Sequence, residues 1–179
     1  MSQFVNFKKR GFTLPPGCKN LIDVLKPTLQ QGKAGFTSEA LAPFGIQKER
    51  FPSSGLAEIE RFVERLFHPR GEAFVVEIAA QALSSPIMLF CSKTERQAGI
   101  VLEPRDVPQE EAARGFFQRR GTEPLLESGH EGTPTLLYRL PRDVGAASAL
   151  VRELIQEVFA LGSDAGLDFE YYDIIETPG

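Results

Sequence analysis

The stretch AFVVEIAAQALSSPIMLFCSKTERQAGIVLE, residues 73–103, decides how this chain folds. Residues 73–80 alternate, with Phe74, Val76, Ile78 and Ala80 on one side. Residues 87–92 form a short apolar run, bounded by Ser84-Ser85-Pro86 and by Lys93-Thr94-Glu95-Arg96. Residues 98–103 set Ala98, Ile100 and Leu102 together. A period of two bounded by turn residues reads as a strand. Links this short join neighbouring strands in antiparallel fashion, because a parallel pair needs a long crossover. The stretch therefore predicts a three-stranded antiparallel meander.

The sequence on either side of the meander reads as helices and a hairpin. Over residues 54–68, Leu56, Ile59, Phe62, Val63, Leu66 and Phe67 recur at spacings of three and four, with Glu58, Glu60, Glu64 and Arg65 between them. That is one amphipathic helix, stopped by Pro69. A second helix opens at Pro108, with acids Glu110 and Glu111 in its first turn and Arg114, Arg119 and Arg120 toward its end. These charges complement the helix dipole, and Gly121 supplies the stop. Its apolar face is Ala112, Ala113, Phe116 and Phe117, and Glu110 and Arg114 stand in the favourable i,i+4 order. Residues 124–127 and 135–140 read as a hairpin around Gly129-His130-Glu131-Gly132. A long helix is expected from Asp143 to Leu161, ended by Gly162, and an alternating strand over 167–175, where Tyr171-Tyr172 suggests a bulge. Strands grouped between helices argue for an α+β fold. The expectation is an antiparallel sheet of about five to six strands packed with three main helices, in the order α-β-β-β-α-β-β-α-β.

Residues 1–53 read differently. Pro15, Pro16, Pro27, Pro43 and Pro52 make regular structure short there, with one helical turn expected from Asn20 to about Leu25. Yet Phe4, Phe7, Phe12, Phe36, Phe44 and Phe51 give it six of the fourteen phenylalanines. Solvated tails are poor in aromatics. The expectation is an irregular, Phe-rich arm packed on a body at 54–179. The arm is also basic: Lys8, Lys9, Arg10, Lys19, Lys26 and Lys33 face one acid, Asp23, over residues 1–33. That net +5 leaves −9 for the rest of a chain whose total is −4. A basic leader on an acidic body folds back electrostatically or reaches an acidic partner.

The chain has 179 residues, 42% apolar and 25% charged, ordinary for one globular domain. Two cysteines, no apolar leader near Met1 and no run of about 20 apolar residues predict a cytoplasmic protein with reduced thiols and no membrane span. A Cys18–Cys91 bridge is disfavoured on the same ground.

Few residues suggest chemistry. There is no G-x-x-x-x-G-K-[ST], no G-x-G-x-x-G and no G-x-S-x-G. No cofactor is expected. With two histidines, two cysteines and no C-x-x-C or H-x-x-x-H, no metal site is expected either. Glu64 and His68, one turn apart, could form half of one, but an imidazole there also suits the negative end of its helix. Cys18 follows Pro15-Pro16-Gly17 and precedes Lys19, whose ammonium could lower the thiol pKa, but a nucleophile also needs a base in reach. No catalytic residue is assigned. Lys8-Lys9-Arg10, flanked by Phe7 and Phe12, is the one candidate for nucleic acid, and the acidic body opposes it. The residues singled out as candidate ligand or partner contacts are Lys8, Lys9, Arg10, Phe12, Cys18, Lys19 and His68.

The element order from Ser54 to Leu161 is similar to that of the small acidic chaperones of bacterial type III secretion and related single-domain folds, which run α-β-β-β-α-β-β-α. The resemblance is one of order and carries no diagnostic motif. The absence of catalytic motifs, the acidic body and the meander with amphipathic helices predict a non-enzymatic adaptor or chaperone-like protein, working as a homodimer and binding protein partners at a sheet edge or a groove beside a helix. The alternative is a small-molecule-binding protein or small enzyme, its pocket between sheet and helices and Cys18 or His68 at its mouth.

Overall fold

A computed structural model describes residues 45–68, 73–92, 97–128 and 134–175. Its elements, in chain order, are strand β1 (Gly45–Ser54), a 3-10 turn (Leu56–Glu58), helix α1 (Ile59–Phe67), strands β2 (Ala73–Ala79), β3 (Ile87–Ser92) and β4 (Gln97–Leu102), helix α2 (Val107–Gln118), strands β5 (Leu126–Ser128) and β6 (Thr135–Arg139), helix α3 (Val144–Glu157) and strand β7 (Leu167–Ile175). The fold is α+β, with the meander β2-β3-β4 at the middle of its sheet and the hairpin β5-β6 at one edge.

The sheet has seven strands in the order β1-β7-β2-β3-β4-β6-β5, and every neighbouring pair is antiparallel. The strand above the expected range is β1, which occupies residues read as the end of the irregular arm. Its sequence, GIQKERFPSS, has little strand propensity of its own. It gains its ladder from β7, matching Gly45 to Ile175 through Phe51 to Phe169. The register then shifts between Phe51 and Ser54, so one extra residue stands in β1. Pro52, which has no amide proton to give a ladder, falls within this bulge. The bulge lies on β1, not at Tyr171-Tyr172 as expected, since β7 runs against β2 without interruption from Asp168 to Ile174. Residues 1–44, with the rest of the expected arm and its helical turn, lie outside the described residues.

The helices follow their caps. Asp106 Oδ1 accepts from Gln109 N at 2.9 Å and Asp143 Oδ1 from Ala146 N at 2.8 Å, so each side chain satisfies an otherwise orphaned amide. Helix α2 ends in a left-handed Gly121 (φ 65°), with Gly121 N donating to Gln118 O and Thr122 N to Phe117 O. Those two bonds make a Schellman stop, and glycine is the residue that adopts this φ without strain. Helix α3 stops earlier than expected, at Glu157, and the left-handed residue beyond it is Ala160 (φ 53°), not Gly162.

One core lies between the helices and one face of the sheet. Ile59, Phe62, Val63 and Leu66 of α1, Phe116 and Phe117 of α2, and Leu150, Val151, Leu154 and Ile155 of α3 cluster with alternate residues of β2, β3, β4, β6 and β7. Phe62 stacks on Phe169 (centroids 4.3 Å, planes 9° apart) and Phe117 on Tyr138 (3.7 Å, 6°). Ser148, buried in the same layer, donates to Val144 O at 2.6 Å.

The other face of the sheet is buried too. One row of directly opposed residues runs Glu170, Glu77, Met88, Val101, Leu137 and Leu126 across β7, β2, β3, β4, β6 and β5. Within it Glu77, Met88, Val101 and Leu137 are 3%, 2%, 3% and 2% exposed, and Val75 in the next row is 0% exposed. In that next row Phe90 lies over Gly99, where an added Cβ would stand 2.5 Å from the ring. A side chain there would require the Phe90 ring to move.

Candidate interaction surfaces

Of the residues singled out from sequence as candidate contacts, His68 alone falls among those described. Lys8, Lys9, Arg10, Phe12, Cys18 and Lys19 lie outside the described residues, as does His130. His68 is exposed at the end of α1, where its backbone N–H donates to Arg65 O at 3.1 Å and its Nδ1 lies 3.2 Å from Glu64 O. The ring thus lies against a backbone carbonyl of the last helical turn. Among the described residues no three His, Cys, Asp or Glu side chains are grouped as a metal site. Cys91 is a buried free thiol on β3, and burial pushes its pKa up while Arg142 draws it down. It is therefore poor in thiolate and unreactive in the folded chain.

Glu103, just beyond β4, carries a carboxyl shifted in the unusual direction. Burial raises its carboxyl pKa, against hydrogen bonds from the hydroxyls of Ser85 and Thr135 that lower it. Sequence reading missed it, because its hydroxyl partners come from the β2–β3 link and the start of β6.

Two arginines ride on the rim of the aromatic core beside β1. The Arg65 guanidinium lies 4.1 Å from the centroid of the Tyr171 ring and donates to its hydroxyl at 3.1 Å. Arg61 stands 5.1 Å from the centre of Phe51, which packs edge-on to Phe62 (5.3 Å). Arginine over an aromatic face is attractive by charge and quadrupole. The available signal was their i,i+4 spacing beside the apolar stripe, which sets both on one side of α1 next to the residues it buries.

The outer side of the helices is polar and internally paired. Arg114 bonds Glu110 at 2.8 Å and forks onto Glu127 at 2.6 and 3.2 Å, tying α2 to β5. This pairing holds the Glu127 carboxyl below its ordinary pKa. Arg119 and Arg120, just past the end of α2, pair with Glu157 and Glu153 of α3, and Arg120 also covers the Phe116 ring at 3.7 Å. Arg152 of α3 reaches Glu60 of α1 at 3.1 Å. Such exposed pairs are worth about 0–1 kcal/mol each, so they set register between elements more than they stabilise the fold. Val107 and Leu125 are the exposed large apolar residues among those described. This side offers no contiguous apolar patch.

What the described residues leave open is a backbone edge. Strand β1 has ten residues and one described neighbour, β7, whereas the opposite edge strand β5 has three residues. A strand with one neighbour has amides and carbonyls facing away from the sheet, ready to pair with another chain. No described helix is long and apolar enough to cross a membrane. Compared with family models, curated proteins and solved structures, the chain matches none of them.

Proposed function

We propose that this chain is a non-enzymatic protein-binding module of the adaptor or chaperone-like kind, cytoplasmic and working as a homodimer, with β1 as its recognition edge. The observation that carries the reading is the length of that edge. Ten residues exceed the usual strand of five or six, and strand addition draws its affinity from main-chain hydrogen bonds along such a row. Arg61 and Arg65 beside β1 supply the residue type enriched in protein interfaces.

Hydrogen–deuterium exchange of the full chain at low and high protein concentration tests it. Peptides within residues 45–54 should gain protection as concentration rises, while peptides of β3 and β4 stay unchanged. Exchange in 45–54 that ignores concentration across the micromolar range would count against self-association through this edge.

A further inference from the structure

The two edges of the sheet are built differently. Strand β1 has ten residues, whereas β5 has three, with Leu126, Glu127 and Ser128 opposite Leu137, Leu136 and Thr135 of β6. Just before β5, Leu125 N donates to Leu137 O at 2.7 Å. Strand β6 is fixed from its other side. Four of its residues pair with β4, from Arg139 opposite Gly99 to Leu136 opposite Leu102, and Leu136 and Tyr138 are buried in the core. Strand β5 therefore lies along an anchored neighbour, while Leu125 and Glu127 are themselves exposed. Short, exposed pairing at an edge marks a part of a fold that opens locally.

We infer that β5 is a strap over the edge of β6, opening while the rest of the sheet stays closed, and that Arg114 is its latch. The fixed half of the latch is α2. Phe116 and Phe117 of that helix are buried in the core, so Arg114 stands on an anchored element. Glu110, one turn earlier, accepts from Arg114 Nε at 2.8 Å and orients the guanidinium independently of β5. Nη1 and Nη2 then fork onto the two carboxylate oxygens of Glu127 at 2.6 and 3.2 Å. A guanidinium already held by one carboxylate loses little more freedom on binding a second, and a two-pronged contact fixes the geometry of its partner. Both side chains reach water, the arginine 35% and the glutamate 46% exposed, so dissolved salt weakens the contact. The latch is thus firm enough to bias β5 toward closure and weak enough to let go. Opening bares the row of β6 from Thr135 to Leu137 that β5 otherwise occupies. A short edge strand that denies its neighbour to other chains is one way a sheet avoids wrong pairing. Arg114 therefore sets how often a second pairing row becomes available, at the opposite edge of the sheet from β1.

Amide exchange resolved residue by residue with NMR tests this on the full chain, at one fixed protein concentration so that association through β1 does not enter the comparison. Glu127→Gln removes the charge, and Arg114→Lys keeps the charge but loses the fork. Each should speed exchange at residues 125–128 by about twofold to fivefold, the range an exposed pair supplies, while the amides of β2 and β3 keep their rates. Raising the salt to about 1 M, where screening acts within about 3 Å, should speed the same residues in the unaltered chain and change the Glu127→Gln protein little. Unaltered rates at 125–128 in either variant would overturn the latch, as would salt that acts equally on the two proteins. Acceleration shared equally by β2, β3 and β5 would overturn the strap, because β5 would then open only with the whole sheet.

Discussion

Phe62 is where the account of this core is easiest to break. Its ring is 1% exposed, stacked on Phe169 at 4.3 Å and met edge-on by Phe51 at 5.3 Å. It joins α1 to both strands at the β1 side of the sheet. Phe62→Ala removes the ring from between a helix and two strands, elements too regular to collapse into the space. Truncations of this kind cost about 3–5 kcal/mol, from lost transfer energy plus the cavity. The loss is a large share of the roughly 5–15 kcal/mol that holds a typical domain. At roughly 2–4 °C per kcal/mol for a chain this long, Tm should fall by about 6–20 °C. Urea unfolding followed by far-UV circular dichroism would give the free energy, with the slope against denaturant unchanged. Phe51→Ala, at a half-buried ring, should cost about 1 kcal/mol, near half the value of a full burial. A loss under about 1.5 kcal/mol for Phe62→Ala would mean that this stack does not anchor α1.

Other perturbations read other parts of the structure. Gly99→Ala drives a methyl into the Phe90 ring and should cost about 1–3 kcal/mol, while Gly99→Ala with Phe90→Ala should cost less than the two changes summed; strict additivity in chemical denaturation would contradict the packing. Burial raises the Glu103 carboxyl in the folded state, so its ionisation opposes folding once the pH exceeds the ordinary glutamate value, and the penalty is complete above the raised folded value. Glu103→Gln should therefore gain stability relative to the parent between pH 4 and 8, and a gap constant with pH would refute the assignment. Cys91 should react with a thiol reagent such as DTNB only when the chain unfolds, so rapid labelling under native conditions would contradict its placement.

Much of the fold was legible because it rests on local patterns. The apolar stripe through Ile59, Phe62, Val63 and Leu66 and the run Leu150, Val151, Leu154 and Ile155 each marked a helix, and Gly121 marked a stop that the structure builds with two hydrogen bonds. The alternation of Leu167, Phe169 and Tyr171 marked β7 from end to end. Strand β1 was not legible, because Lys48-Glu49-Arg50 and Pro52 carry no strand signature and the pairing comes from β7, more than a hundred residues away. A bulge, which depends on what stands across the ladder, went to the wrong strand for the same reason. The burial of the second face left a trace in the unbroken run Ile87-Met88-Leu89-Phe90, which marks a strand covered on both sides. Of the candidate site residues, only His68 falls among those described, and its ring lies against a backbone carbonyl of the last helical turn. The arginine rim and the Glu103 cluster are assembled from distant segments, and no spacing rule along the chain joins them.

The reading of this chain as a self-associating binding module stands or falls on its mass in solution. Light scattering coupled to size-exclusion chromatography, run on the full chain over a range of loading concentrations, measures it directly. The account predicts a species of twice the 19.8 kDa chain mass that dissociates on dilution. A single species at the chain mass across the whole range would contradict it.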